Sequence, residues 1–221
     1  MDKKRLIKHT EAYVKNTLSG EGSGHDWWHI FRVWNTAKKF SKQEGGNLFI
    51  IELSALLHDI ADRKFNEGDV KKGVEKVRIF LISLSLDKKD IDCICEIVKT
   101  CSFSSSFLED GTRRVMSTLE GQIVQDADRL DAIGAIGIAR AFAYGGYKNR
   151  ELYNPNVKPI LHATTESYTN KVSHSINHFY EKLLLLKDLM NTKTAKKLAI
   201  KRHRYMELFL KEFYGEWDGK L

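Results

Sequence analysis

The spacing of apolar residues, in a chain with almost no proline, most constrains the fold. Apolar side chains recur at intervals of three and four along most of the 221 residues, as on one face of an α-helix. The two prolines, Pro155 and Pro159, lie close together, so proline interrupts a helix nowhere else. No strand pattern stands out. We therefore predict an all-α fold, with a single helical domain over residues 1–221.

Glycine, asparagine and serine clusters divide the chain into helices. We predict helices over about 3–18, 25–44, 48–58, 69–84, 87–101, 118–144, 167–190 and 194–213, with Asn47 and Asp87 as N-caps. The last two helices form a C-terminal hairpin within an extension at about 165–215. The segment 145–164 is the longest irregular stretch, and its length suits either a lid over a pocket or a surface loop with no task.

Composition limits the class of protein. Hydrophobic residues are 42% and charged residues 29%, which is typical of a folded domain. The net charge of +7 suits a nucleic acid or a small polyanion. The three cysteines form no Cys-x-x-Cys pair, which favours a reducing, cytoplasmic compartment. No apolar run approaches the roughly 18 residues of a membrane span, and no signal peptide stands out.

A histidine–aspartate pair follows a buried-looking helix. The apolar run Leu53–Leu57 leads into His58-Asp59, and Asp62, Arg63 and Lys64 come directly after. An imidazole beside a carboxylate suits a metal ion, although a buried histidine satisfied by an aspartate has the same appearance.

Two other stretches supply candidate partners. His25 and His29 are one helical turn apart and share a face. Asp126, Asp128 and Asp131 lie between apolar residues, where burying several acids costs several kcal/mol unless a cation compensates them. An arginine-paired helix start is the alternative reading of these acids. Asp128 and Asp131 are three residues apart and can face one side together.

Together these stretches predict a site of mixed nitrogen and oxygen ligands. Two imidazoles and two carboxylates suit Mn²⁺, Fe²⁺, Co²⁺, Ni²⁺ or Zn²⁺ better than Ca²⁺. The candidate ligands are His29, His58, Asp59 and Asp128, with Asp126 the alternative to Asp128.

The same stretches resemble the HD-domain superfamily of metal-dependent phosphohydrolases. The resemblance rests on His29-x-x-Arg32-Val33, Leu57-His58-Asp59-Ile60 and Ala127-Asp128-Arg129-Leu130, and covers a metal-site core at about 20–145. Gly24-His25-Asp26 and the stretch Ile176–Lys182 resemble a small bacterial branch of uncharacterised HD hydrolases.

The resemblance implies roles for individual residues. His29, His58, Asp59 and Asp128 would be the metal ligands, because the family's last aspartate stands in an Ala-Asp-Arg type context. Asp62 would be the catalytic acid–base group beside Asp59. Some members of that family hold two metal ions through additional histidines between the His-Asp pair and the last aspartate. No histidine lies between Asp59 and Asp128, so we expect one divalent ion per chain, of Mn, Co, Ni, Fe, Mg or Zn.

We therefore expect a phosphohydrolase that cleaves a phosphoester or phosphoanhydride bond with water activated at the metal. A nucleotide is the expected substrate, since Trp27, Trp28, Phe103 and Tyr147 could stack on a base. The candidate substrate contacts are Arg63, Lys64, His25 and Lys148. The alternatives are a nucleic-acid-binding module, for which the charges at the C-terminus are too mixed, and a ligand sensor without turnover. A homodimer remains open.

Overall fold

The computed structural model describes residues 2–20, 26–62, 66–103, 115–161 and 173–221. These residues form nine α-helices and two 3₁₀ segments without a strand, which confirms the all-α prediction. The helices are α1 Lys3–Thr17, α2 Trp27–Glu44, α3 Leu48–Leu57, α4 Val70–Ser83, α5 Lys88–Thr100, α6 Leu119–Asp131, α7 Gly134–Tyr147, α8 Ser175–Glu181 and α9 Lys193–Trp217. The 3₁₀ segments are His58–Ala61 and Leu183–Leu189. Among the described helices, none is long and apolar enough to cross a membrane.

Helix α3 forms the centre of the core. Apart from Glu52 and Ser54 its side chains are all apolar, and α1, α2, α5 and α6 pack against it. Leu53, Leu56 and Leu57 are fully buried, and each such side chain contributes about 1.5–3 kcal/mol of hydrophobic stabilisation. Because α2 and α6 also pack against each other, the polar residues that follow α3 emerge where three helices meet.

Side-chain caps determine where several helices begin. Asn47 accepts a hydrogen bond from the backbone N–H of Phe49, which confirms the predicted cap of α3. Asp69 accepts from Lys71 and Lys72 at the start of α4. Asp87 precedes α5 as predicted, but its side chain accepts no capping hydrogen bond.

The prediction of one helix over 118–144 was wrong. The chain forms α6 and α7 with a break at Ala132 and Ile133. Gly134 has φ of +78°, a left-handed conformation that L side chains rarely adopt. A Cβ atom on Gly137 would collide with the carbonyl group of Ala132. The break makes Asp131 the last residue of α6 and allows α7 to pack back against α6.

The prediction of one helix over 167–190 was also wrong. Helix α8 ends at Glu181, Lys182 leaves helical geometry with φ of −142°, and the 3₁₀ segment Leu183–Leu189 follows. Leu183 and Leu186 are buried, and a 3₁₀ segment places residues three apart on one side. The first arm of the C-terminal hairpin is therefore two short segments that pack beside α9.

The irregular segment is anchored to both α8 and α9. The backbone N–H groups at the start of α8 donate to the carbonyl oxygens of Glu151 and Leu152 at 3.0 Å. Tyr153 makes edge-to-face contacts with Phe213, Tyr214 and Trp217 of α9, at ring-centroid distances of 5.0–5.9 Å. These contacts attach the middle of the segment to the C-terminal helix. Residues 162–164, the end of the segment predicted to be irregular, lie outside the described residues, and the role of the segment as a lid or a surface loop stays open.

Candidate metal centre

The first turn of α2 places a histidine inside the core. Asp26 is the N-cap of α2, and its carboxylate accepts a 2.9 Å hydrogen bond from the backbone N–H of His29. The cap holds His29 in the third helical position. The His29 side chain is completely buried and lies toward α6.

The end of α3 supplies the adjacent histidine and aspartate. His58 and Asp59 begin the 3₁₀ turn, and both are buried. Asn66 fastens this turn, because its Nδ2 atom lies 2.9 Å from the carbonyl oxygens of both Ile60 and Asp62. The turn also packs tightly on α4: a Cβ atom on Gly73 would lie 2.5 Å from the Cα atom of Ala61.

Four side chains from three segments meet around one point. The Nε2 atom of His29 lies 3.3 Å from Asp59 Oδ2, 3.4 Å from Asp128 Oδ1 and 3.3 Å from His58 Nε2. The Nε2 atom of His58 lies 3.5 Å from Asp59 Oδ1 and 3.8 Å from Asp128 Oδ1. His29, His58 and Asp59 form a group that could hold a metal ion. The Asp128 side chain is 24% exposed, so the cluster reaches solvent beside it.

These separations suit a divalent transition-metal ion. Ligands about 2.1 Å from an ion lie about 3.4 Å apart at the tetrahedral angle and about 3.0 Å apart at a right angle. We assign the histidine tautomers from their partners. The Nδ1–H group of His58 donates to the carbonyl of Ala55 at 2.8 Å, and that of His29 donates to Asp131 at 2.7 Å. In these tautomers both Nε2 lone pairs face the shared point, where a metal ion would find two nitrogen ligands.

A third carboxylate, that of Asp131, orients the His29 ring from the side away from the cluster. Asp131 Oδ2 accepts from His29 Nδ1, while Arg32 donates to both Asp131 oxygens at 2.7 and 2.9 Å. Arg140 on α7 donates to Asp131 Oδ2 at 2.8 Å. A carboxylate that accepts the second N–H of a ligating histidine fixes the ring and raises its basicity. Two arginines keep Asp131 ionised for that task.

The charges of the cluster favour a bound cation. Burial and the nearby Arg140 lower the pKa of His29, but Asp59, Asp128 and Asp131 outweigh them and raise the pKa to about 10. Burial raises the pKa of Asp128, whereas the hydrogen bond from His29 and the charges of both histidines lower it to about 2. In the metal-free protein, a proton on His29 thus supplies the positive charge that a bound metal ion would otherwise supply.

Asp126, the alternative to Asp128, lies on a different side of α6. Its oxygens accept hydrogen bonds from the backbone N–H groups of Asn191 and Thr192 at 2.8 and 2.7 Å, and from both side chains at 2.9 and 2.8 Å. Residues two apart on a helix do not share a face. Asp126 therefore anchors the start of α9, and Asp128 lies beside His29.

Comparisons with known proteins agree with this geometry. The HD domain profile matches residues 27–133, which include the whole cluster. The uncharacterized Bacillus subtilis protein YpgQ is 36% identical over 219 residues, which cover 99% of this chain and 97% of that protein. This chain belongs to the HD domain family.

Two solved structures from bacilli resemble this HD protein along its full length. An HD-superfamily hydrolase from Bacillus thuringiensis is 45% identical, with a TM-score of 0.74 and coverage of 98% of this chain and 99% of that chain. The structure of Bacillus subtilis YpgQ in complex with ADP is 35% identical, with a TM-score of 0.73 and coverage of 95% and 97%. These likenesses support a hydrolase with a divalent-metal site.

Of the other residues predicted for the site, the structure describes Asp62 and Lys148. Asp62 directly follows the turn that carries His58 and Asp59, and its backbone N–H donates to the Asp59 carbonyl at 3.0 Å. Lys148 lies over the ring of Tyr147 at 5.0 Å, and its described contacts include no cluster residue. His25, Arg63 and Lys64 lie outside the described residues, so their roles stay predictions.

Sequence reasoning assigned no task to Asp131 or Arg140. Asp131 had a signal, because it lies three residues after Asp128 and can share its face. Arg32, three residues after His29, belonged to the quoted motif but had no partner in the sequence. Arg140 lies on α7, which turns back toward α6 after the break at Gly134 and so reaches Asp131.

Proposed function

We propose that this HD protein hydrolyses a phosphoester or phosphoanhydride bond of a nucleotide, using one divalent ion held by His29, His58, Asp59 and Asp128. The observation that carries the proposal is the cluster of the two imidazole Nε2 atoms with each other and with the carboxylate oxygens of Asp59 and Asp128, at distances of 3.3–3.8 Å from these nitrogens. A bound divalent ion would lower the pKa of water and polarise a phosphoryl oxygen.

The residues of the chain prepare that chemistry. Asp131 holds the His29 ring with Nε2 toward the shared point, and the Ala55 carbonyl does the same for His58. Asp62, which follows the turn and is half-buried, takes the proton from the attacking water in this proposal. Its position beside Asp59 is held by the hydrogen bonds from Asn66.

A nucleotide substrate is supported by the ADP bound to Bacillus subtilis YpgQ. The net charge of +7 favours a polyanion, and the exposed Trp28 and Tyr147 rings could stack on a base. Trp27 and Phe103, the other two aromatic candidates, are buried and are weaker choices for stacking.

A metal assay joined to a substrate panel tests this proposal. The protein is purified without chelator, its bound metal is measured, and nucleoside mono-, di- and triphosphates and cyclic nucleotides are offered with Mn²⁺, Co²⁺ or Mg²⁺. We expect about one ion per chain and release of phosphate or pyrophosphate from one substrate class. Metal-free protein would contradict the site, and nucleotide binding without turnover would identify a ligand sensor.

Asp62→Asn separates the acid–base group from the metal site. We expect kcat to fall about 10²- to 10⁴-fold, with the metal content unchanged. The matched control is Asp188→Asn, which removes an exposed carboxylate 3.7 Å from Lys187 and leaves kcat unchanged. Equal kcat values for both variants would reject Asp62 as the proton acceptor.

A further inference from the structure

Helix α9 packs against the core with one side. Its buried side chains are Ala195, Ala199, Met206 and Leu210. Arg202 also fastens the helix to α6, because its Nη1 atom donates to the carbonyl oxygen of Leu130. The opposite side of α9 is exposed along much of its length. This exposed side is where α9 can contact another molecule.

Four residues on the exposed side form a single stripe. Lys201, Tyr205, Leu208 and Glu212 follow one another at intervals of four, three and four, so they share a face of the helix. Tyr205 is 53% exposed and Leu208 is 65% exposed. Within the described part of the chain, Lys201 and Glu212 form no ion pair. The stripe therefore offers an apolar centre with a cation at one end and an anion at the other.

The stripe is complementary to a second copy of itself. Lys201 lies four residues before Tyr205, and Glu212 lies four residues after Leu208. When two identical helices pack antiparallel about a two-fold axis, residues equally far from the axis on either side face each other. An axis midway between Tyr205 and Leu208 would pack Tyr205 on Leu208 of the second copy. It would also place Lys201 beside Glu212 of that copy, twice in the dimer.

The same symmetry extends the apolar contact toward both ends. Leu198 lies seven residues before Tyr205, and Gly215 lies seven residues after Leu208. A Cβ atom on Gly215 would collide with the side chain of Leu221, so Leu221 covers this glycine. Leu198 is 38% exposed and Leu221 is 72% exposed. In the antiparallel pair, each Leu198 would meet Gly215 and Leu221 of the other copy.

The order of charges along α9 is unfavourable for the helix alone. Its first turn contains no acidic residue and its last turn no basic residue, although both would interact favourably with the helix dipole. Lys197 and Lys201 are instead one turn apart in the N-terminal half, and Glu212 and Glu216 are one turn apart in the C-terminal half. An antiparallel second α9 places acids beside these bases and opposes the two dipoles, so it relieves both effects.

We infer that the exposed stripe of α9 is a homodimer interface, in which the α9 helices of two copies pack antiparallel about an axis midway between Tyr205 and Leu208. The inference concerns a second copy of this chain and is independent of the proposed hydrolysis. The contact is narrow, and Arg204 at its edge approaches its own copy. We therefore expect a weak dimer, with a Kd of about 10–100 µM.

The test is sedimentation velocity of the full chain at concentrations from about 5 to 500 µM, which bracket the expected Kd. Lys201→Glu and Glu212→Lys should each weaken dimerisation roughly tenfold or more, because like charges then face each other twice. The double variant Lys201→Glu/Glu212→Lys should recover the wild-type Kd. Residues 201 and 212 are about 16 Å apart along the helix, so this recovery requires a second copy. Parallel helices would give no recovery, because each position would then face its own copy.

The matched control is Glu207→Lys, which makes the same change of charge as Glu212→Lys on another face of α9. Glu207 lies 3.3 Å from His203 within the chain, and its replacement should leave dimerisation unchanged. Thermal unfolding checks that each variant is folded. A wild-type protein that stays monomeric at the highest concentration, or a folded double variant as weakly associated as the single variants, would overturn the inference.

Discussion

Asp131 Oδ2 lies 2.7 Å from the Nδ1 atom of His29, a contact between residues 102 positions apart in the chain. The same carboxylate is clamped by Arg32 and Arg140, so its position is set from three helices. Because the His29 ring has no freedom to rotate, its Nε2 atom is directed toward Asp59 and Asp128 before any ion binds. The HD core thus prepares its metal site through a residue that does not belong to the proposed ligand set.

Replacing Asp131 should weaken the metal site without removing a ligand. Asp131→Asn keeps the shape but leaves Arg32 and Arg140 without their shared counter-ion, and the His29 ring loses its charged partner. We expect the affinity for Mn²⁺, measured by calorimetry, to fall about 10- to 100-fold. The control Asp92→Asn breaks a surface pair with Arg78 and should leave Mn²⁺ affinity unchanged. Unaltered Mn²⁺ affinity in folded Asp131→Asn protein would show that orientation of His29 does not matter.

Replacing Asp128 should lower the metal content, whereas replacing Asp126 on the same helix should lower the stability. Asp128→Asn should reduce bound metal to a small fraction with little loss of stability, because Asp128 lies 3.4 Å from His29 at the solvent edge. Asp126→Asn should lower the free energy of unfolding by about 1–3 kcal/mol, because hydrogen bonds to Asn191 and Thr192 are weakened. Its metal content should stay near the wild-type value. Metal analysis and thermal unfolding distinguish the two, and a reversed pattern would make Asp126 the ligand.

Metal affinity should rise with pH. The pKa of His29 is raised to about 10, so in metal-free protein its proton contributes stability that is complete below pH 6.5 and is lost as the pH rises through 10. A metal ion must displace this proton, and the apparent affinity should therefore increase about tenfold per pH unit between pH 6.5 and 8.5. Calorimetry in buffers of different ionisation enthalpy should show about one proton released per ion. Affinity independent of pH would mean that His29 is neutral before binding.

At low pH the protein should lose stability because carboxyl groups with lowered pKa values become protonated. Burial, the largest single effect, raises the pKa of Asp131, but the hydrogen bonds from His29 and Arg32 and the charges of His29 and Arg140 together lower it well below its usual range. Asp131 and Asp128 therefore contribute stability above about pH 4 that is lost as the pH falls through their folded-state values. Unfolding midpoints of wild-type and Asp131→Asn protein should converge as the pH is lowered toward 2. A difference that stays constant down to pH 2 would contradict this assignment.

A pair of glycine substitutions tests how the turn with His58 and Asp59 is supported. Gly73→Ala would place a Cβ atom 2.5 Å from the Cα atom of Ala61, so the turn must move, and we expect about 1–3 kcal/mol of lost stability together with weaker Mn²⁺ binding. Gly146→Ala in α7 meets nothing within 4 Å and should be neutral or stabilising by up to about 1 kcal/mol. Denaturant unfolding and metal titration measure both. Equal stability of the two variants would mean that α4 does not hold the turn.

The sequence predicted the all-α class because helical periodicity is a local property. It also identified Asn47 as a cap, since a cap depends on two or three neighbouring residues. It failed at the break between α6 and α7, where the apolar spacing continues through Ile133 while Gly134 adopts a left-handed conformation. It failed again at Lys182, where the apolar residues after α8 pack as a 3₁₀ segment. In both places tertiary packing, and not local propensity, decides the backbone.

The sequence by itself determined which chemical groups are available and where each meets the core. His58 and Asp59 had to lie at a core edge because they directly follow the apolar run at the end of α3. Only the tertiary structure decided which acids join them. Asp126 and Asp128 are equivalent in composition, but their directions on α6 differ, and one faces α9 while the other faces His29. The contact of Arg140 with Asp131 depends on how α7 turns back. Such long-range contacts form only when the whole core packs, so no short stretch of sequence contains them.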